Sequence, residues 1–231
     1  MTIRRSKDRG AAKYGWLDTR YTFSFANYYD PDFMGFSHLR VINEDIIAPS
    51  NGFETHDHAN MEIVTWVIEG ELTHQDSLGS KGRLRADDAQ VMSAGTGIEH
   101  SERNESADHS VHLLQIWLEP TKAHQTPRYA QKNFPLAERL GKKQLIATED
   151  GRDGSLQIGQ NATVSVIHLR SSDAIKLSAQ KQQIWIQSIS AEIVVNQQHL
   201  LPGDGVAVTK EDEIELQGTA TEGDVLLFEI S

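Results

Sequence analysis

The strongest constraint on the fold is a pair of short segments in which metal-ligand side chains recur at alternate positions. The first segment contains His56 and His58, with Glu62 on the same parity, and the second contains His100 and Glu102. In an extended strand, residues i and i+2 point to the same face, so each segment presents its ligand side chains together. About forty strand-like residues separate the two segments, which allows them to meet inside a small barrel. We therefore predict one metal site with three histidines and one glutamate.

The second segment makes this prediction much stronger than an isolated His-X-His pair would. The chain has 10 histidines, and a lone histidine is more often a surface residue or a satisfied core residue than a ligand. Here a further histidine lies two residues from a carboxylate and follows a glycine-rich turn at residues 95–97. Parity does not choose between Glu62 and Glu102 as the carboxylate ligand.

Composition restricts the chemistry of the site and the kinds of partner. The chain has no cysteine, which excludes disulfides, thiolate catalysis and iron–sulfur ligation, so a metal must bind histidine and carboxylate. Its 22 Lys+Arg and 33 Asp+Glu give a net charge of -11. Such an acidic balance argues against binding to nucleic acid or to an anionic membrane surface.

The N-terminus and the apolar runs indicate where the protein resides. Basic residues near the start have no apolar segment behind them, and no apolar run is long enough to span a bilayer. We expect a cytoplasmic protein that has no membrane association.

The strand and turn pattern predicts an all-β protein with two β-barrel or jelly-roll domains and few short helices. At 231 residues the chain can form one large or two small β domains. We expect the metal-binding domain in residues 1–133 and a second domain, which lacks ligands, in residues 134–231. Proline near the start and glycine at the end of residues 135–141 predict one short helix. His74 is either close to the metal or exposed on its strand.

These motifs resemble those of pirin-family bicupins over nearly the whole chain, most closely in the first 135 residues. One difference from the broader cupin pattern is that seven residues, not six, separate Glu62 from Gly70, and another is that Gly95 replaces a proline. The resemblance rests on these segments: Thr22-Phe23-Ser24-Phe25, Tyr29-Asp30-Pro31, Leu39-Arg40-Val41-Ile42-Asn43, Gly52-Phe53, His56-Asp57-His58, Met61-Glu62, His74-Gln75-Asp76-Ser77, Gln90-Val91-Met92-Ser93-Ala94-Gly95-Thr96-Gly97-Ile98, His100-Ser101-Glu102 and Gln115-Ile116-Trp117.

The resemblance implies a particular ligand set and metal. In pirins the ligands are similar to His56, His58, His100 and Glu102, whereas most other cupins would use the position of Glu62. We expect Glu62 to lie close by, where it could hold a ligand histidine by its second nitrogen. Imidazole and carboxylate ligands with an open position suit Fe(II) and admit Mn, Ni, Cu or Zn. Family analogy favours iron.

The resemblance also implies an activity. Some bacterial pirins resemble flavonol 2,3-dioxygenases, which use O2 to open the heterocycle of a quercetin-like substrate with loss of carbon monoxide. Glu102 would act as the base that accepts the substrate proton. An apolar barrel mouth would hold the flat ring system, and Phe36 and Phe53 are the candidates for its walls.

Two other functions are compatible with the same resemblance. Animal pirins look like metal-dependent transcriptional co-regulators, in which the metal state alters a surface that binds a protein partner and no substrate turns over. A basic or apolar surface cluster next to the metal would favour that function. The remaining alternative is a bicupin that its metal merely stabilises.

Overall fold

The computed structural model describes residues 1–179 and 183–230, and strands dominate this part of the chain. Short 3-10 helices occur at Ser6–Asp8, Leu136–Glu138 and Arg152–Gly154. The strands are β1 (Thr2–Arg4), β2 (Gly10–Lys13), β3 (Leu17–Tyr21), β4 (Leu39–Ile47), β5 (Gly52–His58), β6 (Glu62–Glu69), β7 (Glu71–Asp76), β8 (Lys81–Arg85), β9 (Asp88–Ser93), β10 (Ile98–Arg103), β11 (Val111–Leu118), β12 (Arg128–Asn133), β13 (Gln144–Thr148), β14 (Leu156–Gln157), β15 (Ala162–Leu169), β16 (Ala174–Ser178), β17 (Gln183–Ser188), β18 (Ile193–Val195), β19 (Gln198–Leu200), β20 (Gly205–Val208), β21 (Glu213–Gly218) and β22 (Gly223–Ile230).

The chain divides into two compact units. The N-terminal unit consists of Gly10–Phe134 and Leu156–Gln160, and the C-terminal unit consists of Met1–Arg9, Pro135–Ser155 and Asn161–Ser231. The division into domains 1–133 and 134–231 stays a prediction. No pattern in the sequence predicted that β1 groups with the C-terminal unit, or that Leu156–Gln160 groups with the N-terminal unit.

Two antiparallel sheets form the N-terminal unit. One has the strand order β12-β9-β6-β11-β4-β3-β2, and the other has the order β5-β10-β7-β8. Alternate residues of each strand face the space between the sheets, because successive side chains of a strand point to opposite sides. A buried cluster there takes Ile47 and Val67 from the first sheet and Leu72 and Leu84 from the second. The all-β architecture predicted from the sequence is confirmed.

The C-terminal unit has the same kind of architecture. Six of its strands lie in the order β1-β20-β17-β22-β15-β13, and a second sheet has the order β16-β21-β18-β19. Its interior is aliphatic, and Ile167, Ile186, Val206 and Leu227 are among the buried residues of one large cluster. Among the described residues, the groups of side chains that could hold a metal ion all belong to the N-terminal unit.

The helix predicted at residues 135–141 is only a 3-10 turn, Leu136–Glu138. The turn ends because Arg139 leaves helical geometry and becomes buried, with its guanidinium donating to both carboxylate oxygens of Asp224 at 3.0 and 2.9 Å. Leu140 then makes a parallel bridge to His168. An ion pair between buried Arg139 and partly exposed Asp224 therefore replaces the rest of the helix.

Across the described ranges, no helix combines the length and the apolar character needed to cross a membrane. Cytoplasmic localisation stays a prediction.

Candidate metal centre

Three histidine rings meet where β5 and β10 pair. The antiparallel register sets His100 opposite His56 and Ile98 opposite His58. The ring centroids are 4.5 Å apart for His56 and His100, 5.0 Å for His58 and His100, and 4.8 Å for His56 and His58. One nitrogen from each ring lies within 4.8 Å of the others. The structure thus brings together the three histidines that the two sequence segments singled out.

The hydrogen bonding of these rings fits a metal ligand set. His100 is 3% exposed, and neither of its ring nitrogens has a hydrogen-bond partner. A buried polar atom without a partner costs free energy, and a bound cation would satisfy the lone pair. His56 Nδ1–H donates to the Glu54 carbonyl oxygen at 2.7 Å, which leaves the Nε2 lone pair of His56 available. A divalent transition metal fits the residues present.

Burial also keeps two of the rings in the neutral form that binds metals. It lowers the pKa of His58 to about 4 and that of His100 to about 2, and the neighbouring His56 contributes to both shifts. Imidazole must be deprotonated to bind a metal, so protons do not compete at these two positions near neutral pH.

Glu102 lies deeper in the same barrel and is only 2% exposed. Gln90 Nε2 donates to Oε1 at 2.5 Å, Gln115 Nε2 donates to Oε2 at 2.5 Å, and the Thr65 hydroxyl is 3.4 Å from Oε1. Burial raises the pKa of the Glu102 carboxyl to about 7, and the charge of Asp45 also raises it. The three hydrogen bonds act in the opposite direction. Both carboxylate oxygens are therefore oriented, and the group can exchange a proton near neutral pH.

His74 is buried beside Glu102 and is not an exposed strand residue. The β7–β10 register sets it opposite Glu102, and one nitrogen of His74 lies within 4.8 Å of ligand atoms of His100 and Glu102. Its Nε2–H donates to Asp76 Oδ2 at 3.1 Å, and its ring stacks on Tyr129 at 4.3 Å. Burial lowers the pKa of His74. His100 therefore belongs to two ligand groups, one with His56 and His58 and one with His74 and Glu102.

The structure does not bring Glu62 to the histidines. Ser93 Oγ donates to Glu62 Oε2 at 2.6 Å, and Arg128 Nη2 lies 4.0 Å from the same oxygen. The parity that linked Glu62 to His58 does not hold, because the chain reverses at Asn60, whose φ is 53°, and β6 lies in the other sheet. Thr65 on β6 points towards Glu102, so Glu62 at i−3 occupies the opposite face of the strand.

A cavity of about 290 Å³ adjoins His56, His58, His100 and Glu102. Phe53 forms part of its wall and packs edge-on against Trp16 at 5.1 Å. Phe36 is not among the residues that line the cavity, and its backbone instead pairs with Leu39.

Sequence reasoning missed several residues of this site, although some left a signal. The Trp117 ring contacts His58 edge-on at 5.0 Å and Phe25 at 5.4 Å. Trp117 and Phe25 both line the cavity. Gln115 and Trp117 are two residues apart on β11, so their side chains point to the same face. Strand parity could therefore have predicted that both face the cavity. Gln90 lies in β9 and begins one of the segments that carry the family resemblance, but strand parity gave no reason to place it beside Glu102.

Comparisons with known proteins show which family this chain belongs to. Residues 3–118 match the family model for pirin, and residues 145–230 match the quercetinase C-terminal cupin domain. The quercetin 2,3-dioxygenase of Escherichia coli K12 is 43% identical over 99% of this chain and 97% of its own length. A putative quercetin 2,3-dioxygenase of Pseudomonas aeruginosa is 43% identical over 100% of both chains.

A solved structure of the bacterial pirin YhhW from Escherichia coli in complex with nickel(II) superposes with a TM-score of 0.94 at 43% identity. The superposition covers 99% of this chain and 98% of that one. This chain belongs to the pirin family and has its all-β bicupin fold.

Proposed function

We propose that this protein is a metal-dependent dioxygenase that opens the ring of flavonols such as quercetin with O2. The observation that carries the proposal is the buried, unpartnered His100 between two further imidazoles at the wall of a cavity with aromatic sides. The relatives named quercetin 2,3-dioxygenase support the choice of substrate class.

The metal would be held by His56, His58 and His100, with Glu102 as the carboxylate ligand. Three imidazoles and one carboxylate suit Fe(II), and they are compatible with Mn, Ni, Cu or Zn. We propose Fe(II), although the related pirin is known with nickel(II). When bound, such an ion supplies a redox-active Lewis acid with positions open to exchange.

Glu102 would accept the proton of the substrate hydroxyl. Burial raises the pKa of this carboxyl to about 7 in the metal-free protein, so a Glu102 that leaves the metal would take up the substrate proton and release it afterwards. Gln90 and Gln115 each hold one oxygen of this carboxyl, so they would keep it aimed as the proton moves. They are positioning residues, because they act through Glu102.

The apolar side chains would bind the flat substrate and exclude water. Phe25, Phe53 and Trp117 supply aromatic faces and edges in the cavity wall, and Ile63 supplies an aliphatic surface. Aromatic walls with a few placed polar groups are typical of sites for planar ligands.

Oxygen consumption tests the proposal. Protein reconstituted with Fe(II) should consume O2 and quercetin together, and metal-free protein should consume neither. His199→Ala is a matched control, because His199 is an exposed histidine of the C-terminal unit that pairs with Glu192 and is not a proposed metal ligand. Absence of uptake by protein that demonstrably holds iron would overturn the proposal and favour a metal sensor or a protein-binding co-regulator.

A further inference from the structure

A polar surface faces the metal-ligand side chains across the cavity. Strands β3 and β4 pair with Thr19 opposite Asp45 and Tyr21 opposite Asn43. All four residues line the same cavity as His56, His58 and His100. We refer to Thr19, Tyr21, Asn43 and Asp45 as the polar wall. It belongs to the seven-stranded sheet, whereas the three histidines belong to β5 and β10 of the four-stranded sheet.

The polar wall interrupts the apolar inward face of β4. Asp45 is 3% exposed and Asn43 is 5% exposed, whereas Ile46 between Asp45 and Ile47 is 44% exposed. Both polar groups share the inward face of β4 with Leu39, Val41 and Ile47, so the register that buries these apolar residues also buries Asn43 and Asp45. Departures from pattern of this kind concentrate at functional sites.

One acceptor of this wall is left without a donor. Asn43 Oδ1 is buried and has no hydrogen-bond partner. Burial raises the pKa of Asp45 to about 6, opposed by the neighbouring Thr19 hydroxyl and by His112. Among the described residues that line the cavity, none is lysine or arginine, so no such cation compensates the Asp45 carboxylate there. Buried acceptors of this kind are stabilised when a donor reaches them.

We propose that Asp45 and Asn43 form a subsite that binds phenolic hydroxyl groups of the substrate remote from the reacting hydroxyl. This inference rests on the proposed function, since it assumes a flavonol-like molecule whose 3-hydroxyl lies at the histidines. Such a molecule is flat and carries O–H donors at its far ends, which complement a carboxylate and an amide oxygen on the facing sheet. Asp45 would then determine specificity, because a hydroxylated ring donates a hydrogen bond to its carboxylate and a ring without hydroxyl groups leaves the buried carboxylate unpaired.

Anaerobic binding tests the subsite without any turnover. Metal-loaded protein would be titrated, in the absence of O2, with quercetin and with 3-hydroxyflavone, which has the same ring system and only the reacting hydroxyl. Asp45→Val removes the acceptor, and Asp45→Asn removes the charge at nearly constant shape. Glu44→Gln is the matched control, because Glu44 is the adjacent carboxylate on the outer face, paired with His112 at 3.0 Å.

We expect Asp45→Val to weaken quercetin binding by about tenfold or more, which is typical for loss of a hydrogen bond to a charged group. Binding of 3-hydroxyflavone should stay unchanged, Asp45→Asn should have a smaller selective effect, and Glu44→Gln should alter neither ligand. Equal losses for both ligands, or full quercetin affinity in both Asp45 variants, would overturn the subsite.

The binding test and the activity test fail separately. If loaded wild-type protein takes up no O2 yet binds quercetin selectively through Asp45, the proposed function is wrong and the hydroxyl subsite stands. If it turns quercetin over while the Asp45 variants bind both ligands as the wild type does, the subsite is wrong and the dioxygenase stands. Should Asp45→Val fail to fold, Asp45→Asn and Asn43→Val supply the same comparison.

Discussion

The two units of this protein share one architecture but fill it differently. The interior of the C-terminal unit is packed with aliphatic side chains, including Ile186 and Leu227. In the N-terminal unit, histidines, a buried glutamate, two glutamines and a cavity of about 290 Å³ occupy part of the interior. The described groups of side chains that could hold a metal ion lie only in the N-terminal unit, so the same architecture carries a candidate site in one unit and a mainly aliphatic core in the other.

The largest expected effect is the loss of metal when a histidine of the N-terminal unit is removed. His100→Ala should abolish stoichiometric metal binding and quercetin turnover, because His100 is shared by both ligand groups. Metal analysis of purified protein checks this, with His199→Ala in the C-terminal unit as the control. Full metal content in His100→Ala would contradict the assignment of the site.

Glu102→Gln should separate catalysis from folding within the N-terminal unit. Loss of a proton-transfer group typically lowers the rate by about 10²–10⁴-fold. The amide keeps the shape of the side chain, but its NH2 group meets the Nε2 donor of Gln90 or Gln115, so the unfolding midpoint of metal-free protein should fall modestly while the protein still folds. Steady-state turnover and urea unfolding measure the two effects. Glu62→Gln is the comparison, because Glu62 faces Ser93 and Arg128; retained activity in Glu102→Gln would move the proton acceptor elsewhere.

A cavity created in the C-terminal core should lower the stability of the protein and leave its metal content unchanged. Leu227→Ala removes a fully buried side chain and should lower the free energy of unfolding by about 2–5 kcal/mol. Metal content per folded protein should stay at the wild-type value, because the described ligand groups lie in the other unit. Urea unfolding combined with metal analysis tests this. Loss of metal from folded Leu227→Ala protein would show that the division of roles between the units is wrong.

Asp45 gives the N-terminal unit a pH dependence that an aliphatic interior lacks. Its pKa rises from an ordinary 3.8 to about 6 on folding, so the folded state binds the proton more tightly. The resulting stabilisation is present below pH 4 and is lost as the pH rises through about 6, with a total of about 3 kcal/mol. Asp45→Asn should flatten this part of the curve when metal-free protein is unfolded in urea from pH 4 to 7. An unchanged curve would mean that Asp45 does not titrate in this window.

The histidines were predictable because two physical signals coincide at them. Residues i and i+2 of a strand share a face, and the glycine turn before His100 returns the chain to the strand that holds His56 and His58. The same parity rule failed for Glu62, because the reversal at Asn60 starts a strand in the other sheet.

The polar wall could not be predicted, because β4 carries apolar residues on both faces. Leu39, Val41 and Ile47 share the face of Asn43 and Asp45, whereas Ile42 and Ile46 share the other face with Arg40 and Glu44. Hydrophobicity alone therefore does not choose the inward face. The actual facing is set by the pairing of β4 with β3 and β11, which is a tertiary property. The helix predicted at residues 135–141 fails for a similar reason, since burial of Arg139 against Asp224 overrides local propensity.

The most direct test of the central claim is the fate of the oxygen atoms. Fe(II)-loaded protein would be supplied with quercetin under oxygen-18 gas, and the ring-opened product would be examined by mass spectrometry. A dioxygenase acting at the His56, His58, His100 and Glu102 site should place both atoms of one O2 molecule in the products. Product oxygen that derives from water, or an unreacted substrate in the presence of bound iron, would contradict the account.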